Sequence, residues 1–178
     1  LDLPLFVYLE GSYAREGDLQ ARRNRPDASE VEYRSAGLAP SRQAHRARRY
    51  PMMRYPWDRT EEALRAMADH SGGVMPELDY VNPETGSDVL PTMGFTAMML
   101  VAGNKITPPR RSCSSAFHVV AGRGRTTIDG QTVEWAPKDT FSAPVFASLS
   151  HEADEEAFLV RIHDRPLQEK LGYYEERE

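Results

Sequence analysis

The chain has 178 residues and a formal net charge of −5, with 40% hydrophobic and 28% charged residues. This length allows one domain with additional segments, and the composition is typical of a soluble globular protein rather than a fibrous or wholly disordered one. The negative charge argues against a dedicated nucleic-acid binder. The longest nearly apolar run, residues 95–102, is too short to cross a bilayer, so we expect no membrane partner. Cys113 is the only cysteine, which fits a reducing cytoplasm and excludes an internal disulfide.

Residues 1–50 and 51–178 differ in character. The first fifty begin with a segment, Leu3 to about Tyr13, whose apolar spacing predicts a short helix, and then become rich in arginine with little periodic signal. We interpret residues 1–50 as an interdomain or intersubunit arm or linker and residues 51–178 as the folded domain. The chain begins at Leu1 rather than methionine and carries no secretory leader, so we expect a processed product or part of a longer cytoplasmic protein.

A helix opens the folded domain. Residues 58–70 place their apolar side chains on one face, and Asp58 followed by Glu61 has the spacing of a capping box. Ser71, Gly72 and Gly73 end this helix. A second, shorter helix is predicted after Pro166, followed by a polar end.

Between the two helices the pattern changes to short runs with a period of two. Asp129-Gly130 between two such runs is a strong signal for a tight hairpin. A succession of short strands without intervening helices predicts a mainly β fold, either an antiparallel barrel or a double-sheet jelly roll. The predicted strands are residues 78–81, 94–100, 116–120, 125–128, 132–135, 140–142, 145–148 and 157–162.

Several segments of this β region resemble a known family. Residues 103–122 have the layout of the first cupin motif, and residues 137–153 look like the second. The surrounding sequence resembles the C-terminal half of gentisate 1,2-dioxygenases and of the related salicylate and 1-hydroxy-2-naphthoate dioxygenases. The resemblance implies a cupin, a jelly-roll barrel of the double-stranded β-helix type, with a preceding helix and a short C-terminal helix. The segments that carry it are Tyr55-Pro-Trp-Asp-Arg-Thr, Tyr80-Val-Asn-Pro-Glu-Thr-Gly, Val89-Leu-Pro-Thr, His118-Val-Val-Ala-Gly-Arg-Gly and Asp164-Arg-Pro-Leu-Gln-Glu-Lys-Leu-Gly.

The resemblance also implies a chemistry for the whole protein. Members of this two-cupin family use O2 to open the ring of a hydroxylated aromatic acid, such as gentisate, at a non-haem Fe(II). Three histidines of the N-terminal cupin hold the iron, and that cupin is not in this sequence. The resemblance therefore implies Fe(II), an aromatic acid and O2 for the full-length enzyme, assembled as a homo-oligomer (dimer or tetramer), and no cofactor in this segment.

The iron-ligand positions carry other residues here. By alignment, the His-x-His pair corresponds to Pro109 and Arg111, and the third histidine corresponds to Leu149. Proline and leucine offer no donor atom, and arginine does not lose its proton in proteins. No His-x-His occurs anywhere in the chain. We therefore expect neither catalytic residues nor a metal in this segment, whose role would be structural.

Four side chains are candidate pocket residues: Arg110, Arg111, His118 and His151. One of two consecutive strand residues faces inward, and an inward arginine in a metal-free barrel needs a protein carboxylate or a bound organic acid. His151 either lines a pocket or is hydrogen-bonded at a strand end, and His118 could point inward beside Arg111. Two alternatives stay open: a free-standing, non-catalytic cupin that binds an organic acid, and a small metal-dependent cupin enzyme that uses His118 and His151.

Overall fold

The computed structural model describes residues 54–178 together with residues 31, 33–35 and 38. The helix predicted at residues 3–13 and most of the predicted arm lie outside the described residues. Of the arm residues that are described, Tyr33 is buried and its hydroxyl donates a hydrogen bond to the carboxylate of Glu84. Arg59 donates to the backbone carbonyl of Arg34. This part of the arm therefore packs on the folded domain.

Two helices and eleven strands follow one another within residues 54–178. In chain order they are α1 (Trp57–Ser71), β1 (Glu77–Asp79), β2 (Gly94–Leu100), β3 (Lys105–Ile106), β4 (Arg110–Arg111), β5 (Ser115–Ala121), β6 (Gly124–Ile128), β7 (Gln131–Trp135), β8 (Thr140–Ala143), β9 (Leu149–Ala153), β10 (Ala157–His163), α2 (Arg165–Leu171) and β11 (Glu176–Arg177). Among the described helices, none is long and apolar enough to span a membrane.

Nine of the eleven strands form two antiparallel sheets that enclose one core. Strand order is β1-β2-β10-β5-β8 in the five-stranded sheet and β3-β9-β6-β7 in the four-stranded sheet, while β4 pairs with β11. Apolar side chains from both sheets meet in a single buried cluster, including Met98 and Phe117 from one sheet and Trp135 and Leu149 from the other. The predicted mainly β jelly roll, with a preceding helix and a short C-terminal helix, is confirmed.

The alternation of side chains along each strand decides what lies inside. In β2, Met98 and Leu100 point into the barrel core, while Ala97 and Met99 point to the opposite face and pack against Leu64 of α1. Helix α1 therefore covers the outside of the five-stranded sheet. Because both faces of β2 are covered, the strand reads as a nearly continuous apolar run rather than an alternating one.

Strand and turn predictions were mostly confirmed. Strand β2 has the predicted bounds, and the Asp129-Gly130 turn joins β6 to β7 with both residues at positive φ, 48° and 85°. Positive φ at both central residues is the geometry of a two-residue type I′ hairpin.

The strand predicted at residues 145–148 was wrong. A turn follows Pro144, and Phe146 adopts a positive φ of 55°, which lies outside the extended conformation of a strand. Its backbone amide donates to the carbonyl of Arg111 at 2.7 Å, and the next strand begins only at Leu149. Alternating Val and Phe side chains are typical of a strand, but a tertiary hydrogen bond to a distant segment holds this loop in another conformation.

Candidate functional site

The three positions that the family resemblance aligns with iron ligands line one cavity. Pro109, Arg111 and Leu149 line a cavity of about 20 Å³ between the two sheets. The cavity is also lined by Cys113, Phe117 and Arg161. A volume of this size has room for roughly one water molecule or a small ion. The cavity is therefore the candidate site of this domain.

The side chains around this cavity do not fit Fe(II). Two guanidinium groups, from Arg111 and Arg161, contribute positive charge and no lone pair. Burial raises the pKa of the Cys113 thiol, which disfavours the thiolate that a metal would need. No group of three His, Cys, Asp or Glu residues within the described chain has a metal-binding arrangement. The donor set of this cavity is suited to an anion rather than to a cation.

Arg111 is the inward member of the arginine pair. Its Nε donates to Oε1 of Glu176 at 3.0 Å, and the side chain is 16% exposed. The neighbouring Arg110 is exposed, so it does not line the cavity. Strand β11 brings Glu176 to this position by pairing with β4. Arg111 therefore has a protein carboxylate as a partner, one of the two alternatives predicted for it, through a single hydrogen bond.

His151 lies inside the barrel in the middle of β9. It is fully buried, and its Nδ1 is 2.9 Å from Oγ1 of Thr126, which also accepts a hydrogen bond from the Trp135 indole. Its Nε2 has no hydrogen-bond partner among the described residues. Burial, and then the charges of Arg161 and Arg111, lower the pKa of His151 to about 4. The imidazole is therefore neutral at neutral pH.

His118 points outward, not into the barrel beside Arg111 as the sequence analysis considered. It is exposed on the outside of β5, where its Nδ1 is 3.1 Å from Oγ1 of Thr140. Its neighbour Phe117 faces the core and packs against His151 with ring centroids 5.4 Å apart. The structure does not bring His118 and His151 together, because alternation along β5 places His118 on the outer face.

Sequence reasoning missed Arg161. This residue lies in β10, is only 4% exposed, and shares the inward face of the strand with Leu159. Its position in Ala157-Phe-Leu-Val-Arg-Ile-His carried a usable signal. A charged residue in phase with a core leucine, within an otherwise apolar strand, indicates a buried charge.

A polar cluster extends from Arg161 along the five-stranded sheet. Thr96 Oγ1 donates to Oδ1 of Asp79 at 2.6 Å and accepts a hydrogen bond from Nη2 of Arg161 at 3.3 Å. Nε2 of His163 is 3.1 Å from the same hydroxyl, and burial lowers the pKa of His163 to about 4. Arg165 donates to the other oxygen of Asp79 at 3.0 Å. This cluster ties β1, β2, β10 and α2 together.

No protein-family model matches the chain, but sequence and structure comparisons both match 1,2-dioxygenases. The chain is 36% identical over 182 residues to the gentisate 1,2-dioxygenase of a Ralstonia species, an alignment that covers 99% of this chain and 51% of the relative. It is 32% identical over 187 residues to the 5-aminosalicylate 1,2-dioxygenase of a Comamonas species, covering 99% and 48%. A crystal structure of salicylate 1,2-dioxygenase from Pseudoaminobacter salicylatoxidans, as adducts with gentisate, superposes with a TM-score of 0.75 at 26% identity over 84% of this chain and 43% of that one.

The chain has the cupin fold, and the relatives that match it are dioxygenases. It is a homologue of the gentisate, salicylate and 1-hydroxy-2-naphthoate 1,2-dioxygenases. It spans about half the length of the curated relatives it matches. That coverage is consistent with one cupin domain of a two-cupin enzyme.

Proposed function

We propose that this chain is the C-terminal cupin of an Fe(II)-dependent dioxygenase that opens the ring of gentisate or a related hydroxylated aromatic acid with O2. In this proposal the iron is held by the other cupin of the full-length protein. The present domain is structural: it packs against the catalytic cupin and supports a homo-oligomer, a dimer or a tetramer, in the cytoplasm. Neither nucleic acid nor a membrane is a partner.

The observation that carries the proposal is the composition of the cavity between the two sheets. Pro109, Arg111 and Leu149 line it together, and the family resemblance aligns these three positions with the iron-binding histidines of the catalytic cupin. Two guanidinium groups at this place would repel Fe(II), and no side chain there offers the neutral imidazole that Fe(II) prefers. A domain of this family with such a cavity can keep its fold and its interfaces without taking part in the reaction.

The alternative of a small metalloenzyme is not supported by the geometry. It requires His118 and His151 in one site, but the first is on the outer face of β5 and the second inside the barrel. The alternative of an anion-binding domain has a specific observation in its favour, since the guanidinium groups of Arg111 and Arg161 share the cavity.

Oxygen consumption and iron content together test the proposal. We expect the full-length protein to consume O2 when gentisate is added and to contain iron, and the 178-residue segment alone to do neither. An Arg111→Gln variant of the full-length protein is the matched control, because it changes the cavity of this domain. We expect it to keep its iron content, since the iron is proposed to lie in the other cupin. Stoichiometric iron in the isolated segment, or O2 consumption by it, would contradict the structural role.

A further inference from the structure

The buried charge of Arg161 lacks the partner that a buried guanidinium normally has. Among the hydrogen bonds of the described residues, its side chain makes one, from Nη2 to Oγ1 of Thr96 at 3.3 Å. Its Nε has no partner, and none of the ion pairs found within residues 54–178 includes Arg161. A buried charge without a counter-ion is strongly destabilising, so natural proteins pair such groups.

The strongest charge acting on Arg161 is positive. Arg111 lines the same cavity, and its one carboxylate partner, Glu176, contacts it from the exposed side of the tail. Burial and the charge of Arg111 both lower the pKa of Arg161, whereas Glu77 acts on it only by longer-range attraction. The Cys113 thiol and the His151 imidazole are neutral for the reasons given above. Among the described residues, the two cations that line this cavity therefore have one carboxylate, Glu176, in direct contact with either of them, and Glu77 adds only longer-range attraction.

We propose that the cavity between Arg111 and Arg161 is a binding site for one monovalent anion of about the size of chloride. An anion here would accept hydrogen bonds from the unpartnered guanidinium and would balance the second positive charge. The cavity volume limits the size of the ligand, because about 20 Å³ holds a monatomic ion. A benzene ring requires a cavity of roughly 150 Å³, so an aromatic acid is too large. The anion would serve as a fixed structural component of the domain and is independent of the iron proposed for the other cupin.

Thermal unfolding at constant ionic strength tests this site, with chloride exchanged stepwise for gluconate, which is too bulky to enter. Saturating chloride is expected to raise the melting temperature of the wild-type segment by roughly 5 °C, because a ligand that binds only the folded state stabilises it. Arg161→Met keeps most of the side-chain volume and removes the charge, and we expect it to lose the chloride dependence. Arg110→Met removes an exposed arginine of β4, next to Arg111, and is the matched control that should keep it.

Diffraction from wild-type crystals soaked in bromide gives a second measurement that does not depend on any variant folding. An anomalous peak between the guanidinium groups of Arg111 and Arg161 is the expected result. The proposal is overturned by a wild-type melting temperature that does not respond to chloride, by an equal response in Arg161→Met, or by a crystal without the peak. Displacement of the chloride effect by gentisate would also overturn it, because the cavity would then accept an organic acid.

Discussion

Burial changes the protonation of two histidines in this barrel. His151 and His163 lie inside the protein, and burial is the main reason that each has a pKa of about 4, below the ordinary value of 6.5. In both cases positive arginine side chains nearby oppose protonation further. The folded protein therefore holds these imidazoles neutral under conditions in which the unfolded chain already binds protons.

This difference predicts acid sensitivity. A histidine whose folded pKa is depressed binds more protons in the unfolded state between pH 6.5 and about 4, so stability falls as pH falls through that window. For His151 we expect a loss of up to about 2 kcal/mol between pH 7 and pH 5. Denaturant titrations of His151→Gln at the two pH values should show a smaller loss than wild type. His118→Gln, which removes an imidazole from the outer face, is the control, and an unchanged loss in His151→Gln would contradict the prediction.

The close approach of β2 and β10 makes Gly94 a second sensitive residue. A Cβ atom at position 94 would overlap the ring of His163, which has little freedom because it is buried beside Thr96. We expect Gly94→Ala to lower the free energy of unfolding by about 1–3 kcal/mol, the usual range for overpacking. A double-mutant cycle with His163→Ala measures the cause by denaturant unfolding. Equal losses in the two backgrounds would show that the ring is not responsible.

At the level of elements, the C-terminal segment holds β4 and the adjacent Ser112 in place. Gln168 of α2 is buried, accepts a hydrogen bond from the Ser112 hydroxyl at 2.6 Å and donates to the Ser112 carbonyl at 3.1 Å. The same hydroxyl accepts from the amide of Glu175 at 2.9 Å. These bonds place β11 beside β4 and carry Glu176 to Arg111.

Loss of the Gln168 amide should release this tail. In Gln168→Leu the Ser112 hydroxyl and carbonyl each lose a buried partner, which costs about 1–3 kcal/mol. We expect faster amide hydrogen exchange at residues 173–178 and at residues 110–112, measured by mass spectrometry. Glu169→Leu changes the adjacent exposed residue of the same helix and should leave that exchange near the wild-type rate. Equal protection in wild type and Gln168→Leu would mean that other contacts hold the tail.

At the level of the whole molecule, the barrel brings three segments distant in sequence to one cavity. Pro109 and Arg111 come from the β4 region, Leu149 begins β9, and Arg161 lies in β10. If this cavity occupies the place of the iron site in the catalytic cupin, then restoring the donors should restore metal binding. The barrel itself would need no change, because its walls are formed by regular strands.

The test is a histidine graft. In an Arg161→Gln background, which removes one repelling charge, we expect Pro109→His, Arg111→His and Leu149→His together to bind Co(II) at least about tenfold more tightly than the ungrafted domain. The visible spectrum of bound Co(II) reports both affinity and coordination geometry. A graft with Arg110→His in place of Arg111→His puts the same imidazole on the exposed side and should not gain affinity. Equal binding by the two grafts would refute the alignment of this cavity with an iron site.

Residue order alone was enough to predict the class of fold and most of its strands. The period of two, the Asp129-Gly130 turn and the helix at residues 58–70 are local signals, and each reflects backbone preferences that act over a few residues. The positions aligned with iron ligands came from the family resemblance rather than from residue order alone, and their correspondence to an iron site stays a prediction. Residue order did not predict the loop at residues 145–148, since the conformation of Phe146 depends on a hydrogen bond to Arg111, 35 positions earlier in the sequence.

Only the folded structure decides which face of each strand points into the barrel. Alternation states that Arg110 and Arg111 point to opposite sides, as do Phe117 and His118, but it does not state which side is the interior. Pairing and register settle that choice, because they decide which face of each strand meets the opposite sheet. Arg161 entered the candidate site for this reason: its charge is visible in the sequence, but its place opposite Arg111 arises only when β10 is set between β2 and β5.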